Sequence, residues 1–275
     1  MKELTVGILQ LPTLGMNATR LEYYLKNARE RGARLILFGE YVLNHFFKEM
    51  EGMPRSMVRE QTRQHLKLLK KFAKQHEMVF VAPIIRIRKK QYYKTIVKVA
   101  PNSIHYYDQQ ILIPYPHWNE QDFFANPIAP LHDPMMFTID GFKVAVMGGY
   151  ELHFDPFWET VRRKKVDLVL LPTASTFGSH NRWRELVKSR AFIYGAYVLR
   201  ANRLGEYVDG EIQWRFYGDS MLVNPEGEVE MMLEDKESML IEPINRKAVK
   251  EHRRGWQFDR ALRARERLTP KQEKH

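Results

Sequence analysis

The chain of 275 residues contains no cysteine. That absence excludes disulfides, thiolate metal sites and a thiol nucleophile. It also lacks any run of roughly 18 apolar residues, the length a membrane-spanning helix needs. The apolar run at the amino terminus, Leu4 to Leu9, is too short for a signal peptide, so the expectation is a soluble cytoplasmic protein. No glycine-rich phosphate loop and no G-x-S-x-G elbow occur, which argues against nucleotide chemistry and a serine hydrolase. Repeats of short period and low-complexity linkers are absent too, so one domain is expected over residues 1–250, with 251–275 as a charged tail or exposed helix.

What is present suffices for a sizeable core, since 44% of the residues are hydrophobic and 12% aromatic. The net charge is +11 and the isoelectric point near 9.6. Such a balance raises the question of a nucleic-acid partner. The basic residues are spread over Arg86–Lys90, Arg162–Lys165 and Arg246–Lys274 and are not gathered with interleaved aromatics in one segment. That distribution reads as a solvated basic surface.

Hydrophobic patterning predicts alternating strands and helices. Residues 4–9 form a short apolar run ending before Pro12, and Asn17 is placed to cap a helix reaching Arg31, with Leu21, Leu25 and Ala28 on one stripe. Residues 35–38 read as a second buried strand, 61–76 as a basic amphipathic helix, and 78–87 and 92–99 as further strands. A Pro- and aromatic-rich loop is expected over 114–134, then a hairpin turning at Asp140-Gly141. Beyond it come a helix at 154–165 that tolerates Pro156 in its first turn, a strand at 166–171, a helix at 183–194 and a strand at 197–201. A strand with a Pro225-Glu226-Gly227 turn and a last strand at 238–241 complete the reading.

One stretch stands out. In Lys143-Val-Ala-Val-Met-Gly-Gly-Tyr-Glu-Leu-His153 an apolar run breaks at Gly148-Gly149 and is followed by Tyr150. A buried strand ending in a sharp turn is where α/β enzymes present a nucleophile beside backbone N–H donors. This turn holds neither a thiol nor a hydroxyl nucleophile.

Seven stretches then match one family in order and spacing: Val6–Gln10 followed by Asn17; Gly32–Glu40; Tyr107–Pro114; Val144–Glu151; Asp167–Pro172; Ala196–Asn202; and Gly218–Ser220 with Pro225–Gly227. On these the chain resembles the nitrilase superfamily, the carbon–nitrogen hydrolases. The resemblance implies a four-layer α-β-β-α sandwich of two mixed sheets and self-association as a homodimer or higher homo-oligomer. It also implies a Glu, Lys and Cys triad that hydrolyses nitriles or amides. There the Glu acts as general base, the Lys stabilises the oxyanion and the Cys attacks carbon. Glu40 falls on the family's Glu, Gln109 on its Lys and Gly149 on its Cys. Two of the three groups are therefore expected to be missing, because glutamine carries no charge and glycine no nucleophile. Glu120 matches an additional Glu found near the triad in many members. Gly39 stands where Pro is common, and Ile193-Tyr194 where Glu-Asn is frequent.

Tyr150, Ser175 and His180 are further candidates for a pocket, the last two lying beyond the strand end at Pro172. His105, His117, His132 and His153 are separated by 12, 15 and 21 residues, which fits no compact metal motif. Neither metal nor cofactor is expected. The reading is an inactive homologue that keeps a pocket for a small amide, amine or carboxylate, or that serves a protein partner. A hydrolase using water activated by Glu40 is the alternative, and a basic nucleic-acid-associated protein the second.

Overall fold

A computed structural model describes residues 3–266. In chain order its elements begin with β1 (Glu3–Gln10), α1 (Ala18–Glu30), β2 (Leu35–Phe38), α2 (Phe47–Met50), α3 (Arg55–His76), β3 (Val79–Arg88) and β4 (Gln91–Ala100). Next come β5 (Ser103–Asp108), β6 (Pro114–Tyr115), β7 (Trp118–Asn119), α4 (Glu120–Phe123), β8 (Met135–Ile139) and β9 (Phe142–Val146). A 3₁₀ turn over Gly149–His153 leads to α5 (Asp155–Lys164), β10 (Leu168–Thr173), α6 (His180–Tyr194) and β11 (Tyr197–Asn202). The chain continues through β12 (Leu204–Asp209), β13 (Ile212–Tyr217), β14 (Met221–Val223), β15 (Val229–Met232), β16 (Ser238–Asn245), α7 (Arg246–Trp256) and α8 (Phe258–Glu266).

Twelve strands form two six-stranded sheets, ordered β16-β1-β2-β3-β4-β5 and β15-β14-β11-β10-β9-β8. Each has three parallel strands at its centre, β1-β2-β3 and β9-β10-β11, flanked by antiparallel ones. The central strands read as continuous apolar runs because both of their faces are covered. One face of each sheet meets the other sheet, where Val6, Ile8 and Leu37 pack with Val144, Leu170 and Leu199. The opposite faces are covered by helices. Leu21, Leu25, Leu69 and Phe72 of α1 and α3 close the first sheet, and Phe157, Trp158, Val161 and Val187 of α5 and α6 close the second. The result is the expected α-β-β-α sandwich.

Local chemistry explains the element ends. Asn17 accepts a hydrogen bond from Arg20 N at 2.9 Å and so starts α1. Asp140 and Gly141 both have positive φ, 46° and 83°, the geometry a two-residue hairpin between β8 and β9 requires. Pro156 sits in the first turn of α5, where its missing N–H costs nothing.

The structure adds what the pattern analysis leaves out. β5 extends the first sheet at 103–108, and α3 begins six residues earlier than its apolar stripe indicates, at Arg55. The β12–β13 hairpin is also additional. It buries Trp214 and Phe216 against Phe46 and leaves most of its other residues exposed. The boundary expected at residue 250 falls inside α7, which buries Val249 and His252, while residues 267–275 of the expected tail lie outside the described residues. Among the described residues no helix is long and apolar enough to cross a membrane.

Candidate functional site

The carboxyl ends of the central parallel strands converge at one end of the sandwich, the place where open α/β sheets bind ligands. Glu40 follows β2, and its backbone N–H donates to Thr173 O at the end of β10 at 3.0 Å, linking the two sheets. Gly149 follows β9, and its N–H donates to Glu40 Oε1 at 3.3 Å. Gln109 leaves β5 beside β4, with its N–H donating to Lys94 O at 3.0 Å. The side chain of Gln109 packs on Gly148, where a Cβ would lie 2.4 Å from Gln109 Cδ. The three residues expected to converge therefore do so.

At the centre stands a residue the sequence reading does not name. Lys94, on β4, donates from Nζ to Glu40 Oε2 at 3.0 Å and to Glu120 Oε1 and Oε2 at 2.7 and 2.9 Å. All three ammonium protons are thereby spent. Tyr41 OH donates to Glu120 Oε1 at 2.5 Å, and its backbone holds φ of 58°, a strained conformation for a bulky residue. Asn126 fixes the strand carrying the lysine, accepting from Lys94 N at 2.9 Å and donating to Lys94 O and Gln109 O at 2.8 Å each. Glu40, Lys94 and Glu120 are all buried.

Burial favours the neutral form of each group, and the partners oppose it. Glu40 is held above the ordinary carboxylate value by burial, against the pull of the Lys94 charge. Burial drives Lys94 down, but the carboxylates of Glu120 and Glu40 outweigh it and hold the ammonium above its usual value. Burial, with the charges of Glu120 and Glu40, keeps the Tyr41 phenol well above its usual value, so it stays a donor.

The elbow has a second buried acid, Glu151, one turn beyond Gly148. It accepts from Gly148 N and Gln110 N at 2.7 Å each and from Tyr107 OH at 2.9 Å. Burial pushes its carboxyl from 4.5 up to about 7, although these donors pull it back. Because the folded value lies above the unfolded one, folding favours the protonated form. Its stabilising contribution is therefore full below the unfolded value and is lost as pH rises to about 7. The loss is on the order of 3 kcal/mol. Chemical unfolding followed from ~pH 5 to ~pH 8 should show Glu151→Gln with the flatter stability profile. Parallel profiles for the two proteins would show that Glu151 is ionised in both states.

Beyond the elbow, from Tyr150 next to Gly149, opens a cavity of about 580 Å³ that neither Glu40 nor Lys94 lines. Of the residues named for a pocket, Tyr150 and Ser175 line it. Glu120 lies buried in the Lys94 cluster and does not line the cavity. His180 stands elsewhere, its ring stacked on Tyr217 with centroids 3.6 Å apart. Trp118, Trp183, Tyr115, His117, Phe177 and Arg182 complete much of the wall and are not among the residues the sequence reading assigns to a pocket. For Lys94 the strand period gives a signal, but one that Lys98 on the same strand shares. In a strand its side chain shares a face with Ile96, which packs between the sheets.

Among the described residues no group of three or more His, Asp or Glu is placed to hold a metal ion. The chemical repertoire of the site is thus a paired acid cluster, backbone N–H groups at a glycine turn, and an aromatic cavity that begins at Tyr150.

Comparison with known proteins agrees with this architecture. A Helicobacter pylori carbon-nitrogen hydrolase structure superposes with a TM-score of 0.81 at 20% identity, covering 98% of this chain and 99% of that one. N-carbamoylputrescine amidase of Arabidopsis thaliana is 21% identical over 93% of this chain and 91% of its own length. A Staphylococcus lugdunensis protein described as a hydrolase in the agr operon is 29% identical over 152 residues, which span 55% of this chain and 61% of that protein. The sequence profile of the family described as Carbon-nitrogen hydrolase matches residues 5–254, and the chain belongs to that family.

Proposed function

We propose that this family member has lost amide- and nitrile-cleaving chemistry and acts by binding a small molecule in the cavity that Tyr150 and Ser175 line. The observation that carries the reading is the engagement of both carboxylates by Lys94. A general base needs a lone pair facing the substrate. Here Glu40 directs one oxygen to Lys94 and the other to Gly149 N. Glycine stands at 149, where the family resemblance puts the thiol, and glutamine at 109, where it puts the cation. In this reading the cation has moved across the ladder from position 109 to Lys94, and now neutralises the acids from below. Self-association, implied by the resemblance, belongs to the same proposal.

Water attack with Glu40 as base is the second reading, and burial favours it by raising Glu40. Against it stands the saturated ammonium, which leaves no separate cation for the oxyanion.

Ammonia release from N-carbamoylputrescine and from a panel of simple amides tests the proposal. The expected result is no turnover above background, since loss of a nucleophile alone costs ~10⁴–10⁶ in rate. Turnover that survives repeated purification and disappears in Glu40→Gln would replace this reading with the water mechanism.

A further inference from the structure

The charge of the cavity wall is not accounted for by the Glu40–Lys94–Glu120 cluster, none of whose members lines it. No aspartate or glutamate lines the cavity. Arg182, in the first turn of α6, is its one permanently charged lining group, and that turn contains no acidic residue. Among the described residues no carboxylate pairs with Arg182.

A second positive source lies behind the wall. The wholly buried Arg200 donates to Ser175 Oγ at 2.9 Å and to Asp219 O at 2.9 Å, and its Nη1 lies 3.4 Å from Asp219 Oδ2. Arg184 binds the same carboxylate through Nε at 3.0 and 3.1 Å. Two guanidinium groups share one carboxylate, so an excess positive charge stands behind Ser175. Because Ser175 accepts from Arg200, its own hydroxyl proton is left to donate, and it finds no acceptor among the described residues. A hydroxyl backed by a cation is a strengthened donor.

The remaining wall is dominated by aromatic rings. Tyr115 and His117 stack with centroids 5.9 Å apart and an interplanar angle of 25°. Phe177 meets the His117 ring edge-on, and Trp183 lies beside His153. Tyr150 is pushed up to about 12 by burial and its hydrogen bond with Tyr115, so it stays uncharged. Rings arranged in this way offer apolar faces to a planar group.

We propose that the cavity binds a small carboxylate bearing an aromatic group, its anionic end held by Arg182 and the Ser175 hydroxyl, and that it rejects amines of the same shape. This inference rests on the binding reading above and names its ligand class. Ligand pockets of this size are mostly apolar with a few polar groups that fix orientation. The polar groups here select a negative charge. An ammonium group entering the same space would lose water and find no carboxylate to pair with, only ring faces as compensation, while Arg182 repels it.

Phenylacetate and 2-phenylethylamine are similar in shape and opposite in charge, and serve as the probes. Each is titrated against the full-length protein by calorimetry, with tryptophan fluorescence as a second signal. Phenylacetate is expected to bind at least ~10-fold more tightly than the amine. Arg182→Gln should weaken phenylacetate by ~10–100-fold, and Ser175→Ala by less. Arg182 is exposed, so its replacement leaves the fold intact. Three results would each overturn the proposal: tighter binding of the amine, unchanged phenylacetate affinity in Arg182→Gln, or no phenylacetate binding up to ~10 mM. Ammonia release from phenylacetamide, measured in the same samples, bears on the other question. Turnover there would remove the non-catalytic reading while the charge preference stands, so the two failures are distinguishable.

Discussion

Replacing Lys94 by methionine should destabilise the protein by about 3–5 kcal/mol at neutral pH, the cost of leaving buried charges unpaired. The ammonium makes three hydrogen bonds to two carboxylates that have almost no access to water. Removing it leaves Glu40 with only Gly149 N and Glu120 with only Tyr41 OH. The Glu40 carboxyl, already held above its unfolded value by burial, would then be pushed further up. Groups raised in the folded state stabilise it at low pH and lose that contribution as pH rises, so the deficit of Lys94→Met should shrink on acidification. Urea unfolding at two pH values measures both effects. Adding Glu40→Gln and Glu120→Gln should recover most of the loss, because an uncharged cluster leaves no unpaired ion. A Lys94→Met variant within about 0.5 kcal/mol of the parent, the range of ordinary surface changes, would show that the cluster is solvated in solution.

The second large effect is expected from Gly149→Cys combined with Gln109→Lys, which restores all three side-chain types beside Glu40. The double variant should fold. Gly149 does not lie in the left-handed region, so backbone conformation is no obstacle. Crowding is the obstacle that remains: a Cβ there would lie 3.0 Å from Pro172 O and from Thr173 Cγ2, so the neighbours must give by a few tenths of an ångström. The introduced thiol should alkylate with iodoacetamide at least ~10-fold faster than free cysteine at neutral pH, since the introduced ammonium beside it favours the thiolate. Amide turnover should nonetheless stay weak. Lys94 still occupies Glu40, and geometry off by ~1 Å can itself cost ~10²-fold. Mass spectrometry of the alkylated protein and ammonia release provide the two readouts. A thiol no more reactive than free cysteine would mean that position 149 is not the elbow of the family.

Much of the architecture was legible because the central strands are covered on both faces and so read as apolar runs. Leu35–Phe38 and the region of Val144–Met147 are cases in point, and each ends where the chain must turn toward the site. The edge elements were harder. β5 carries exposed His105 and Tyr106, and β12–β13 leaves one face to water, so their apolar signal is short. In β13 the period-two pair Trp214 and Phe216 is the trace that remains.

By itself the sequence determined the family, the order of strands and helices, the absence of any thiol, and the approach of Glu40, Gln109 and Gly149. The element order and the missing thiol follow from residue type and local period, whereas the family rests on the ordered motif matches and the approach of the three residues on what that resemblance implies. Only the tertiary structure decided where the positive charge sits. Lys94 is 54 residues from Glu40 and 26 from Glu120, and its strand holds Lys98 as well. Nothing in the local pattern separates a buried, doubly paired lysine from a solvated one, because the desolvation cost and the compensating charges come from other strands. The cavity is likewise a tertiary product. Tyr115, Tyr150, Ser175 and Arg182 come from separate turns and a helix end, and they acquire a common purpose only when the two sheets bring those ends together.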